Sequence, residues 1–157
     1  MSEKENSAAS EAEEKVLSIT RIFDAPRHLV FEAWTNPEHL KKWFAPRDFT
    51  IPALEAECSP GGGWMSRMKS PGGDTMQMGG IYQEVVPDEK LVLTHAWDEE
   101  FGGTGHQTII TVTFTDQGEK TLMNFHQATF KTKEIRDDHN DGWMQFFDHL
   151  DEYLAQA

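Results

Sequence analysis

Between positions 49 and 130 apolar and polar side chains alternate with a period of two, the repeat of strands that bury one face. Runs of this kind occupy 49–58, 64–70, 76–86, 91–97, 107–115 and 122–130. Short segments separate them: P-G-G-G, S-P-G-G-D, V-P-D-E-K, a glycine-rich F-G-G-T-G and T-D-Q-G-E-K. These are turn compositions at hairpin spacing, so the runs read as an antiparallel meander rather than β-α-β units. Ahead of them, residues 16–23 (V-L-S-I-T-R-I-F) are β-branched and aromatic and predict a further strand.

The repeat is helical on both sides of the meander. Asp24-Ala25-Pro26 offers a cap and a proline for the first helical position, and Leu29, Val30, Ala33 and Trp34 follow at helical spacing. Asn36-Pro37-Glu38 repeats the start signal for a second short helix at 37–43, which Ala45-Pro46 ends. In 133–156, Ile135, His139, Trp143, Phe146, Leu150 and Tyr153 recur every three or four residues, and Phe147 and Leu154 widen the stripe. One long helix is predicted there. Gly142 stands in its middle, where glycine costs about 1 kcal/mol against alanine. Either the sheet approaches the helix closely at that point, or space is left beneath it.

With 157 residues the chain fits one domain. Residues 1–14 are polar, acidic and without large apolar side chains, so they read as a disordered acidic tail before a single domain at 15–157. The tail has no apolar core or basic leader, and no run approaches the roughly 20 apolar residues of a membrane helix. The net charge of -13 disfavours nucleic acid and anionic membranes as partners. A single cysteine, Cys58, forms no disulfide within the chain and fits a reducing, cytoplasmic setting. Cys58 shares a face with Leu54 and Ala56 and reads as a small buried hydrophobe.

The glycine clusters do not read as phosphate loops. A Walker loop needs lysine and a hydroxyl after its last glycine, but Gly63 is followed by Trp64 and Met65. A dinucleotide loop needs a strand before it and a helix after it, whereas strand patterns flank both clusters. The histidines show no paired metal-ligand spacing and no C-x-x-C accompanies them, so neither metal nor cofactor is expected.

The element order is strand, two short helices, six antiparallel strands and one long helix. A curved sheet of this kind buries its concave face against the helical stripe. The chain resembles the START-like, birch-pollen-allergen-like helix-grip superfamily. Within it, the chain resembles the branch of homologues of the activator of the ninety-kilodalton heat-shock chaperone ATPase. The resemblance is carried by R-I-F-D-A-P-R-H-L-V-F-E-A-W at 21–34, N-P-E-H-L-K-K-W-F-A-P at 36–46, P-G-G-G-W at 60–64, G-I-Y-Q-E-V-V-P at 80–87 and G-W-M-Q-F-F-D-H-L at 142–150. It implies an α+β fold in which seven curved antiparallel strands wrap a C-terminal helix, with two short helices after the first strand. The branch pattern commonly carries an acid and an arginine before the paired glycines; here Glu57 keeps the acid and Ser59 replaces the arginine.

Alternation assigns the inward faces. Trp64 and Met68 share one with Ser66, and Met76, Met78 and Tyr82 share another. Leu91, Leu93, His95 and Trp97 lie together, and Met123 and Phe125 bring Gln127 inward. Gly142, Trp143 and Phe146 face them from the helix, and Trp43 with Phe44 closes one end. Among them Trp43, Trp64, Met68, Met78, Tyr82, His95, Trp97, Gln127, Gly142, Trp143 and Phe146 are the expected lining of a cavity suited to a largely apolar ligand. Packed to solid density, the same residues would simply be core. His95 is expected to face inward, hydrogen-bonded to Tyr82 or Gln127, and Asp98, Glu99 and Glu100 follow it at a possible mouth. No second histidine or carboxylate is placed to complete a catalytic pair.

Three function classes remain. The first is non-covalent binding of a small apolar molecule. The second is a polyketide-cyclase-like or hydrolase-like enzyme, a class that the superfamily includes. The third is a chaperone-regulating contact, which the branch name implies. Binding is the expectation.

Overall fold

The computed structural model describes residues 12–156. Most of the expected acidic tail therefore lies outside the described residues; residues 12–14 form a helical turn. The elements are β1 (Leu17–Phe23), α1 (Arg27–Thr35), α2 (Pro37–Trp43), β2 (Thr50–Ala56), β3 (Gly63–Lys69), β4 (Thr75–Val86), β5 (Lys90–Trp97), a 3-10 turn (Glu99–Phe101), β6 (Thr108–Gln117), β7 (Lys120–Ala128) and α3 (Lys133–Ala155).

The strands form one seven-stranded antiparallel sheet in the order β1-β7-β6-β5-β4-β3-β2. The meander is continuous from β2 to β7. β1 then adds to its far edge, with Leu17 opposite Gln127 and Phe23 opposite Thr121. Both glycine clusters are hairpin turns: residues 57–62 join β2 to β3, and 70–74 join β3 to β4. Gly61 has φ +88°, and a Cβ on Gly62 would collide with the Glu57 carbonyl oxygen, so the first turn needs both glycines. That turn also docks on β4, where the Gly61 amide donates to the Tyr82 carbonyl and the Tyr82 amide donates to the Gly62 carbonyl, both at 2.8 Å.

Helix starts follow local chemistry, with one correction. Asn36 Oδ1 accepts from the Glu38 amide at 3.0 Å and Thr132 Oγ1 from the Ile135 amide at 3.2 Å. Asp24 does not cap α1. Pro26, extended at ψ 150°, stands at the cap position without a side-chain bond, and its carbonyl receives the amides of Leu29 and Val30.

The core is uneven along α3. Toward its C-terminal end, Phe147, Leu150 and Leu154 are buried against the sheet and the two short helices. Trp34 of α1 sits there within 5.0 Å of Trp43 and 6.0–6.4 Å of Phe44, Phe114, Phe125 and Phe147, ring centre to ring centre. This aromatic plug fills one end of the sheet's concave face. Toward the N-terminal end, Ile135 and His139 are only half-buried, and the space between helix and sheet is open. On the rim, Arg21 of β1 reaches Asp148 of α3 at 2.7 Å and Arg47 reaches the same carboxylate at 3.3 Å. No helix among the described residues is long and apolar enough to cross a membrane.

Candidate functional site

Two cavities open beneath the N-terminal half of α3. The inner one, about 270 Å³, lies between Met68, Met76 and Met78 of the sheet and Gly142, Trp143 and Phe146 of the helix. Period-two alternation puts the three methionines on one face: Met68 and Met76 are directly paired across β3 and β4, and Met78 follows two residues on. A Cβ built on Gly142 meets no atom within 4 Å. The glycine therefore leaves space rather than admitting the sheet, which decides between the two readings its position allowed.

The outer cavity, about 360 Å³, is bounded by His95, Trp97 and Asp98 at the end of β5, Phe101 of the 3-10 turn, Phe130 between β7 and α3, and Ile135 and His139 in the first turns of α3. Its rim is polar. Gln77 Nε2 donates to Asp98 Oδ2 at 2.8 Å, Arg67 Nε donates to Gln77 Oε1 at 3.0 Å, and the Arg67 guanidinium stands 4.9 Å from the centre of the Phe101 ring.

The two cavities share Met76, Trp97 and His139. Trp97 Nε1 donates to His139 Nε2 at 2.8 Å. His139 Nδ1 lies 2.8 Å from the Ile135 carbonyl, one turn earlier on α3. Because an indole only donates and a carbonyl only accepts, His139 is neutral with its proton on Nδ1. Burial, the largest influence, also lowers its pKa.

His95 is fully buried. Its expected partners were Tyr82 or Gln127; instead Nε2 lies 3.2 Å from Met78 Sδ. Tyr82 lies beside Cys58 instead. Gln127 is engaged by Trp143 Nε1, which donates to Oε1 at 2.8 Å, and by Thr108 Oγ1, which accepts from Nε2 at 2.9 Å. Rings of Trp64, Trp97 and His139 surround His95 with centres 5.5–5.9 Å away. Burial first, and then the nearby His139, pushes its pKa down to about 3. The imidazole is therefore neutral at neutral pH and not poised for proton transfer there.

Of the residues singled out from sequence, Met68, Met78, His95, Trp97, Gly142, Trp143 and Phe146 line the two cavities. Trp43, Trp64, Tyr82 and Gln127 do not. Trp43 is in the aromatic plug with Nε1 donating to the Ala33 carbonyl at 2.9 Å, and Trp64 Nε1 donates to the Thr94 carbonyl at 2.9 Å. Trp64 faces inward as the alternation of β3 requires and Trp43 is buried from α2, but neither borders the two cavities beneath α3. Asp98 does lie at the cavity, as its place after β5 suggested. Met76, Phe101, Phe130 and His139 were not singled out as lining residues. Met76 carried a signal, since it shares the face of Met78; His139 did too, one turn before Trp143 on the apolar stripe.

Nucleophiles are poorly served. Burial pushes the Cys58 thiol up to about 11. The Ser66 hydroxyl is buried without a hydrogen-bond partner among the described residues. Among the described residues no group of three or more His, Cys, Asp or Glu side chains is placed to hold a metal ion.

Residues 24–155 match the family described as activator of Hsp90 ATPase homolog 1-like protein. Solved structures share the fold. A protein from Nitrosomonas europaea is 26% identical, with 91% of this chain and 96% of that one covered and a TM-score of 0.78. One from Chromobacterium violaceum is 24% identical over 89% and 96%, with a TM-score of 0.80. One from Silicibacter pomeroyi, named for the same family, is 20% identical over 90% and 98%, with a TM-score of 0.82. Among curated proteins none matches the chain. With its helix gripped by a seven-stranded antiparallel sheet and the family match running through nearly all of the folded region, the chain belongs to the activator of Hsp90 ATPase homolog 1-like family.

Proposed function

We propose that this protein binds a small, largely apolar molecule between the sheet and α3, without a covalent step. The observation that carries the reading is the unfilled space beneath Gly142, walled by Met68, Met76, Met78, Trp143 and Phe146. Thioethers and aromatic rings offer dispersion contact to an apolar guest, and flexible methionines adapt to its outline. The enzymatic alternative needs a group poised to transfer protons or attack. His95 is held neutral and the Cys58 thiol is held protonated, so binding without turnover is the better reading.

The test is a titration of the protein with neutral N-phenyl-1-naphthylamine, a dye that brightens in apolar surroundings. Saturable one-to-one binding is expected, weakened several-fold by Gly142→Leu. A chain that gives no saturable signal, or one that Gly142→Leu leaves unchanged, contradicts the reading.

A further inference from the structure

We infer that the ligand is an elongated, mostly apolar molecule carrying a hydroxyl group part-way along its length, and that this hydroxyl inserts between Trp97 Nε1 and His139 Nε2. The inference rests on the binding function proposed above and names the chemistry of its ligand.

It begins with the partition. Trp97 and His139 both belong to both cavities, with Met76, and are hydrogen-bonded to each other where the two spaces meet. Each cavity alone, at about 360 and 270 Å³, is near the lower end of the size that takes a drug-like molecule; joined, they are well within it. A molecule occupying both passes the residues they share, Met76, Trp97 and His139. An apolar segment forced between the two rings would leave a donor and an acceptor unpaired, at a substantial cost in affinity.

The atoms at the partition restrict what can replace that bond. The indole N–H can only donate. His139 Nε2 can only accept, because the Ile135 carbonyl holds the proton on Nδ1. A ketone or ether would satisfy the indole and leave the imidazole nitrogen bare. A carboxylate would do the same and add charge. An ammonium would satisfy the imidazole and face the indole donor with nothing to accept. A hydroxyl accepts from one and donates to the other through a single atom, so both partners stay paired as the bond is exchanged. Asp98 and His106 at the outer cavity already have partners: Asp98 accepts from Gln77 Nε2 and the Glu100 amide, and His106 Nε2 reaches the Thr129 carbonyl at 2.7 Å.

The test uses the full chain and two probes of nearly one shape: diphenylmethanol, with a ring on each side of a hydroxyl, and 1,1-diphenylethane, with a methyl in its place. Calorimetry should show diphenylmethanol binding about tenfold more tightly, although it is the more water-soluble of the two. Trp97→Phe should bring that ratio to one or below. In nitrogen-15 NMR of the wild-type protein, which needs no variant to fold, the Trp97 Nε1 and His139 Nε2 signals should move with diphenylmethanol. They should move much less with 1,1-diphenylethane. Equal affinities in the wild type overturn the hydroxyl assignment and leave the binding function standing. So does a preference that Trp97→Phe does not alter, or an absence of the two nitrogen shifts. If neither these probes nor the naphthylamine dye binds, both readings fall.

Discussion

Trp143 Nε1 on α3 donates to Gln127 Oε1 on β7 at 2.8 Å, and both side chains are buried, so helix and sheet are tied by polar atoms within the core. The Gln127 amide is used at both ends, since Nε2 donates to Thr108 Oγ1 at 2.9 Å. Gln127→Leu strands the indole N–H and should cost about 1–3 kcal/mol of stability by urea unfolding. Adding Trp143→Phe should cost less in that background than in the wild type, because the donor is already unpaired. Strictly additive effects would show that the bond contributes nothing of its own.

Gly142 gives a prediction of opposite sign. Its added Cβ meets no atom within 4 Å, and alanine is favoured over glycine in a helix interior by about 1 kcal/mol. Gly142→Ala should therefore raise the melting temperature by a few degrees. Gly142→Leu should hold or raise it while weakening an apolar probe. A clear fall in melting temperature with probe binding unchanged would mean the helix and sheet close on each other there.

His95 predicts the acid side of the stability profile. Its folded pKa, near 3, is below the ordinary 6.5, so below about pH 6.5 the unfolded chain takes up a proton that the folded chain refuses. The stabilisation from the neutral ring is complete above that pH and is lost progressively down to about pH 3, amounting to a few kcal/mol. His95→Leu should flatten the slope between pH 6 and 4 by close to one proton, measured as denaturant midpoints against pH. An unchanged slope would place the uptake elsewhere.

Asp148 acts in a lower window. Hydrogen bonding from Arg21, the largest influence, holds its carboxyl below the usual carboxylate range, and Arg47 adds to this. The group is 37% exposed, so Asp148→Asn should cost only about 0.5–1 kcal/mol at neutral pH. A carboxyl with a lowered pKa stabilises the fold above its ordinary range and loses that effect as pH falls through it. Wild type and variant should therefore converge in unfolding experiments as the pH falls through and below the ordinary carboxylate range. A gap that persists there would mean the cost is one of packing.

Element type was legible from residue pattern because period and turn chemistry are local. The helix at Pro37–Trp43 follows from Asn36 and Pro37, and the meander from its alternation. What alternation conveys is direction, not level. Trp64 and Met78 both point inward, but the first is held by the Thr94 carbonyl and the second borders open space. Emptiness arises from the fit of several elements at once, and only Gly142 marked it in the sequence. The partner of His95 was not legible for a related reason. Tyr82 pairs with Leu93 and Met78 with Trp97, so His95 lies diagonally between both, and it is Met78 whose sulfur lies beside the imidazole.

The methionine wall also sets how the cavity would age under oxidants. Met68 and Met78 are almost completely buried, whereas Met76, at the junction of the two spaces, is partly open to solvent. Of these three, peroxide would reach the Met76 thioether first and convert it to a sulfoxide, a polar group that accepts hydrogen bonds. The aromatic plug around Trp34 lies at the other end of the sheet and keeps its packing. Oxidation at Met76 would thus weaken the apolar binding proposed for this cavity while the chain stayed folded, and methionine sulfoxide reductases could restore it.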